Sequence, residues 1–356
     1  MDKDLSEEFV QLTNLSITNL LQCLESSGVK QQFISDIGPE KYISIVKDMR
    51  NESTIIGMRD FHNWIKLVLI SNITTLLPYK SKMSLLDIAV GRGGDLSKWN
   101  KSNISYVFGF DKNEKSINND DPENPGAIER LSSFRGSKFK DIKFMVGDAL
   151  KPSKPLLNNI ESFLKKNHLN GFNVVSCQFA LHYFFKSETE LRIILTLISR
   201  YLSPGGFFIG TTINGDTIKN MFKDIKEKVY STELFRIQRN FPKTIKSPYG
   251  NEYNFTIFDT KDKANYFNTI GVSKEYLVNF KVLEEIAAEY KLAPVKLNFF
   301  EDYTLEKQKM FVEIKKNTIN FNDILKMGKW KPKSKDLSKE ERELNGLYTT
   351  FAFTKI

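Results

Sequence analysis

Cysteine and histidine are scarce in this 356-residue chain: its two cysteines, Cys23 and Cys177, lie far apart, and the three histidines, His62, His168 and His182, share no close metal-ligand spacing. Those counts argue against a disulfide framework and against a zinc centre, so no metal is expected. Nowhere does the sequence approach the roughly 20 uninterrupted apolar residues of a bilayer span. The opening MDKDLSEEFV lacks the basic and apolar regions of a secretory signal, which predicts an intracellular protein with no membrane partner. Internal repeats and low-complexity tracts are absent too, and Gly 19 with Pro 11 excludes collagen-like and mucin-like classes. What remains is 40% hydrophobic and 27% charged, a globular composition sized for one large domain with extras or two modest ones. Lys+Arg 52 against Asp+Glu 43 leaves a net +9, which favours an anionic partner such as nucleic acid or nucleotide.

Phe9, Leu12, Leu15, Ile17, Leu20, Leu21 and Leu24 fall near a 3.6 period, so residues 1–54 read as a helical extension or linker, ahead of a main domain over 55–356. Arg59 to Leu76 reads as a further helix with Phe61, Ile65, Val68, Leu69 and Ile73 on one side. The stretch SLLDIAVGRGGDLSKW, from Ser84, is the most informative: an apolar run (Leu85 to Ile88) enters a glycine turn and then a helix start at Asp95. Further strands are expected at Tyr106 to Asp111, Ile142 to Asp148, Phe172 to Ala180 and Pro204 to Thr212, with a last one in LYTTFAF. Helical patterns between strands predict a doubly wound, mostly parallel α/β sheet with its ligand site along the C-terminal edge. Residues 112–135 are expected to form a loop and then a helix, Lys274 to Lys291 a helix, and Lys326 to Lys335 a basic segment.

A glycine loop after a strand lets backbone approach a ligand, and an acid ending the next strand, Asp111, can accept both hydroxyl hydrogens of a ribose. Dinucleotide dehydrogenases share that plan but need a glycine where AVGRGGD has Ala89, and Asp148 is placed to meet an adenine amino group. The chain then resembles the eukaryotic and viral mRNA cap guanine-N7 methyltransferases through MRDFHNWIK, LLDIAVGRGGDLSKW, SCQFALHYFF, LSPGGFFIGTT, EYNF, KEYLVNF and LYTTFAF, blocks in the family's order across residues 58–353. The insertion after Asp111 and the Lys/Asn/Ile-rich composition look most like the methyltransferase part of large-DNA-virus capping enzymes.

The resemblance implies a class I fold dependent on S-adenosylmethionine (SAM), with cap-binding insertions and methyl transfer to N7 of the guanine of GpppRNA. It implies that Lys66, Asp87, Ala89, Gly91, Asp95, Asp111, Asp148, Gln178 and Tyr183 line the SAM site. Asn63, Arg92, Phe179, His182, Tyr183, Phe255, Glu275 and Tyr348 correspond to the surroundings of the cap guanine and its phosphates. The chemistry agrees: a carboxylate such as Glu275 can accept from guanine N1–H and the 2-amino group together, while O6 needs a donor such as His182. Phe179, Tyr183, Phe255 and Tyr348 are candidates to sandwich the base, each stack worth roughly 1–3 kcal/mol, and Arg92 would face a bridge phosphate. His182, Tyr183 and Glu275 are therefore the candidate catalytic residues, acting by position and charge rather than as a general base.

Other readings stand beside these. Phe255 is equally able to fill core, Phe353 and Cys177 read as core, and Glu275 could instead begin a helix. Departures from the family pattern are Ala89 for a common glycine, His62 for a common asparagine and Ile213 for a frequent proline. The expected partners are capped RNA and, beyond it, capping-enzyme domains or a stimulatory subunit. The location implied is a viral factory in the host cytoplasm or the virion for a viral chain, and otherwise the nucleus. A noncatalytic stimulatory or scaffold module, and a SAM methyltransferase for another substrate, are the alternatives.

Overall fold

Leu86, Ile88, Phe108, Phe110, Val175, Cys177 and Phe208 alternate or run together along four strands and form the centre of one apolar core, so the sheet assembles around them. The computed structural model describes residues 53–77, 82–121, 124–258, 272–295, 317–332 and 336–356. The chain divides after residue 56, and the elements that follow, apart from the first residue of the first helix, belong to the second unit, Gly57–Ile356. The helical pattern read at Phe9 to Leu24, and Lys333 of the basic segment, lie outside the described residues.

The strands are β1 (Ser84–Ile88), β2 (Tyr106–Asp111), β3 (Asp141–Val146), β4 (Phe172–Gln178), β5 (Leu202–Ile213), β6 (Val229–Ser231), β7 (Phe235–Arg239), β8 (Glu252–Ile257), β9 (Ser273–Tyr276), β10 (Leu292–Pro294), β11 (Thr318–Asn320) and β12 (Tyr348–Lys355). The larger sheet runs β10-β12-β5-β4-β1-β2-β3, with β11 also on β12. Its five strands from β5 to β3 are parallel, and β12 joins β5 antiparallel. This is the doubly wound α/β sheet expected from the sequence. Chain order reverses between β1 and β4, so the crevice beyond their C-terminal ends is the place where such sheets hold ligands. Both strands end there in a left-handed residue that is not glycine, Ala89 (φ 60) and Phe179 (φ 54).

Helix α1 (Ile56–Leu76) buries Phe61, Ile65, Val68, Leu69 and Ile73, as its period predicts. Helix α2 (Leu96–Lys101) starts after Asp95, whose carboxylate does not cap it but turns to two lysines. The insertion forms two short helices, α3 (Glu114–Asn118) and α4 (Ala127–Ser132), where one was expected. Helices α5 (Lys154–Lys166) and α6 (Glu188–Tyr201) are capped by Ser153 and Ser187 and cover the sheet with Leu156, Ile160, Leu191, Leu195 and Ile198.

A second, antiparallel sheet, β6-β7-β8-β9, was not legible in the sequence. It corrects the long helix expected from Lys274: residues 273–276 pair with β8, and the helix, α8 after the short α7 (Gly215–Met221), spans only Phe280–Glu289 behind its cap Asn279. Glu275 is therefore a strand residue, and its reading as a helix-starting acid is withdrawn.

Two final helices are α9 (Phe321–Lys326) and α10 (Lys339–Asn345). The wholly buried Glu341 of α10 accepts from the Met58 N–H of α1 at 2.8 Å and from the Ser338 N–H at 2.9 Å, fastening the first described helix to the last. Both bonds are charge-assisted and out of water, so Glu341→Ala should cost about 2–4 kcal/mol of stability in denaturant titrations. A loss below about 0.5 kcal/mol would show that α1 is held elsewhere.

Candidate active site

At the glycine loop, Gly91 (φ 55) and Gly93 (φ 67) take the left-handed turn that lets the chain pass from β1 into α2. A Cβ at Gly91 or Gly94 would meet nothing within 4 Å, so the loop fronts open space. Asp111, ending β2, accepts from the Gly91 N–H (2.9 Å) and the Asn113 N–H (2.8 Å), one bond to each carboxylate oxygen, and keeps lone pairs for a ligand. Asp148, two residues past β3, accepts from the Leu150 N–H at 2.9 Å. Gln178 ends β4; its Oε1 accepts from the Thr211 hydroxyl (3.0 Å) and its amide donates to Ser176 Oγ (3.2 Å).

Beside the loop, Lys66 of α1 and Lys98 of α2 stand 2.6 and 2.8 Å from one oxygen of Asp95. Burial alone would raise the Asp95 pKa, but the two ammonium groups outweigh it and hold the value down to about 2. Asp87 receives less help. It is buried inside β1, its Oδ1 has no hydrogen-bond partner, and desolvation first, then the nearby Asp95 and Asp111, raise its pKa well above the usual carboxylate range despite Ser176 and Lys66. Three acids at one loop suit a ligand that brings positive charge.

A second cluster is aromatic. Phe179 stacks on His62 (centroids 5.3 Å apart), meets Tyr348 edge-on at 5.5 Å, and carries the Lys66 ammonium over its ring at 5.7 Å. Phe321, which sequence reasoning missed, packs at 5.0 Å against His62 and 5.7 Å against Tyr348. His62 Nε2–H donates to Asn345 Oδ1 at 2.6 Å. Burial drives its pKa down to about 3, against the upward pull of Asn345, so the ring is neutral.

The third cluster centres on Glu275, 3% exposed. Its Oε2 accepts from the Tyr253 hydroxyl at 2.8 Å, and its Oε1 lies 3.7 Å from His182 Nε2, beyond hydrogen-bond reach. His182 is buried, its pKa lowered by desolvation although Glu275 pulls it upward; Nε2 has no partner, while Nδ1 is 3.5 Å from Thr212 Oγ1. The tautomer that accepts from Thr212 at Nδ1 carries its hydrogen on Nε2, and the other carries it on Nδ1. Glu275 Oε1 and His182 Nε2 thus lie side by side, unpaired with each other. Tyr183 stands at the surface of this cluster, its ring 4.2 Å from that of His182, under the Lys112 ammonium and with its hydroxyl 3.2 Å from Ser273 Oγ.

Three expected cap contacts sit differently. The Phe255 side chain is 1% exposed and packs on Phe235, on the same face of β8 as Tyr253. The Arg92 guanidinium donates to the carbonyl of Asn124 in the insertion and reaches that of Pro125, so it ties loop to insertion rather than standing free for a phosphate. Asn63 is exposed on α1. Tyr253 itself was overlooked: it was quoted only within EYNF, and its partner Glu275 is 22 residues away across a strand pair.

Residues 31–356 match the family model of the mRNA (guanine-N(7))-methyltransferase domain. The mRNA cap guanine-N(7) methyltransferase of Schizosaccharomyces pombe is 30% identical over 314 residues, covering 86% of this chain and 77% of that protein. The mRNA cap guanine-N(7) methyltransferase 1 of Arabidopsis thaliana is 29% identical over 315 residues, 86% of this chain and 76% of that one. Among solved structures, a SAM-dependent methyltransferase from Clostridium acetobutylicum aligns at 11% identity, over 83% of this chain and 92% of that chain, with a TM-score of 0.45. These relatives are fungal and plant proteins, and the viral likeness drawn from composition gains no support from them.

Neutral buried histidine sets a pH dependence. The folded pKa of His62 lies below its unfolded value of 6.5, so the unfolded chain binds the extra proton. Stability should be full above pH 6.5 and fall as pH drops toward 4, by up to about 1.4 kcal/mol per unit from this group. His62→Asn should make that slope shallower in denaturant unfolding between pH 6.5 and 4; an unchanged slope would mean that His62 is protonated in the folded chain.

Proposed function

The chain belongs to the mRNA (guanine-N(7))-methyltransferase family, and from that premise we propose that it transfers a methyl group from SAM to N7 of the guanine cap of RNA, with Glu275 and His182 reading the base. The observation that carries this reading is the buried Glu275 carboxylate, whose Oε1 lies 3.7 Å from a His182 Nε2 that has no hydrogen-bond partner, with Nε2 read as the donor of the pair. Guanine offers the complement: O6 accepts beside N1–H and the 2-amino group, which donate.

The acidic loop fits SAM, which carries an ammonium and a sulfonium: Asp87 has an orphaned oxygen, Asp111 has free lone pairs, and the glycines leave room. Lys66, Asp87, Ala89, Gly91, Asp95, Asp111, Asp148, Gln178 and Tyr183 are the residues proposed to hold it. When bound, SAM would supply a methyl group whose carbon a lone pair can attack in line, the new bond forming as the C–S bond breaks and its electron pair stays on sulfur. Guanine N7 has that lone pair at neutral pH, so the chain needs no general base. Its residues orient the base: Phe179, Tyr183 and Tyr348 offer ring faces or edges, and Glu275 with His182 fixes the rotation about N7. As positive charge reaches the guanine, the buried Glu275 carboxylate favours it electrostatically.

We further assign catalysis to residues 55–356, although the family match begins at residue 31. A nuclear site of action fits the eukaryotic relatives, and the other capping steps are assigned to separate domains or subunits. Incubating the purified chain with methyl-labelled SAM and GpppRNA, followed by nuclease mapping, tests the function. Label should be recovered in the cap guanine alone. Label in internal nucleotides would overturn the substrate assignment, and SAM binding without any transfer would favour a noncatalytic capping module.

A further inference from the structure

Strand register places Arg239 opposite Tyr253 and Tyr253 opposite Glu275, one row across β7, β8 and β9. All three are buried, at 6%, 1% and 3% exposure. Directly opposed residues on one face have Cβ atoms roughly 5 Å apart, so Tyr253 stands between an arginine and a glutamate in the row. Only one of those neighbours engages it: the hydroxyl donates to Glu275 Oε2 at 2.8 Å. Arg239 instead lies over the Phe222 and Phe241 rings, at 5.7 and 5.9 Å, and its Nε has no partner. The Glu275 charge is therefore not cancelled by the nearest buried cation in its row.

We infer that Tyr253 is a positioning residue for guanine recognition, whose hydroxyl locks the Glu275 carboxylate in the rotation that keeps Oε1 away from His182 and open to the base; this rests on the reading of Glu275 as the guanine acceptor. The alternative rotation is close at hand. Oε1 is only 3.7 Å from His182 Nε2, and a carboxylate released from Tyr253 gains a hydrogen bond by swinging toward that imidazole. Such a pairing joins the acceptor to the donor and removes the edge that guanine needs. The bond to Tyr253 is made by Oε2 and does not use Oε1, so anchoring one oxygen preserves the other. Tyr253 has no second task that a smaller apolar ring would fail at, since its ring is enclosed and its hydroxyl meets Glu275 alone among the bonds described. The phenol also remains a donor at every working pH, because burial first, and Glu275 next, raises its pKa far above neutrality.

Tyr253→Phe deletes one oxygen and tests this in the full chain. Two cap analogues serve as probes, GpppA and IpppA; inosine lacks the 2-amino group and so offers Glu275 one donor fewer. Binding is measured by calorimetry and kcat/KM by methyl transfer, with SAM affinity and Tm as controls for folding. The wild type should prefer GpppA. In the variant, GpppA affinity should fall about tenfold, the guanine-over-inosine preference should shrink toward one, and SAM affinity should be unchanged. A lowered Tm with the base preference intact would reduce Tyr253 to a packing residue and overturn the inference. Glu275→Gln separates this from failure of the parent reading: if it also leaves the base preference intact, Glu275 does not read guanine, whereas a lost preference in Glu275→Gln alone rejects only the role of Tyr253.

Discussion

A carboxylate taken out of water must be met by hydrogen bonds, or folding forces it to take up a proton. Glu275 is the place where this constraint organises the molecule. The small antiparallel sheet delivers Tyr253 to one of its oxygens, and the turn after β4 delivers His182 to within 3.7 Å of the other without closing a bond. That incomplete pairing is what a base offering both a donor and an acceptor would complete, which is the role proposed for it. A fully satisfied glutamate would be inert, and a bare one would be costly.

The parallel sheet solves a matching problem on the other side of the crevice. Asp87, Asp95 and Asp111 converge on a loop whose glycines leave space in front, and only Asp95 is neutralised, by Lys66 and Lys98. Their repulsion is left for a cationic ligand to relieve. Lys66 links the two halves: its ammonium touches Asp95 and lies over the Phe179 ring, which is itself part of the aromatic group with His62 and Tyr348. Left-handed backbone at Ala89 and Phe179 turns both strand ends sharply at the reversal point, each at a cost of roughly 1–2 kcal/mol for a residue with a Cβ. A glycine at position 89 would avoid that cost.

Much of this was legible in the sequence for a simple reason. Strands β1, β2, β4 and β5 are buried on both faces and so read as continuous apolar runs, and each of the first two enters the crevice through an acid or a glycine turn. The second sheet was not legible. SKEY buries only Glu275 among its four positions, a pattern too short to separate a strand from the first turn of a helix, and its pairing with β8 crosses a long stretch of chain. Glu275 was picked out for its chemistry but assigned to the wrong element, so Tyr253 could not be seen as its partner. Phe255 was picked for its aromatic ring, whose inward direction only the β8 pairing fixes. Arg92 was expected to be free for phosphate because its partners are backbone carbonyls, which leave no mark in a sequence.

The central claim is that the Glu275 charge both holds the guanine and favours its methylation. Glu275→Gln keeps size and one acceptor, places an amide N–H2 where a second acceptor is needed, and removes the charge. Steady-state kinetics of cap methylation by the folded variant should show kcat/KM reduced by about 2–4 kcal/mol, roughly 30- to 1000-fold, with SAM affinity unchanged. A kcat/KM close to wild type, with or without a lower melting temperature, would show that the buried carboxylate serves the sheet and not the cap.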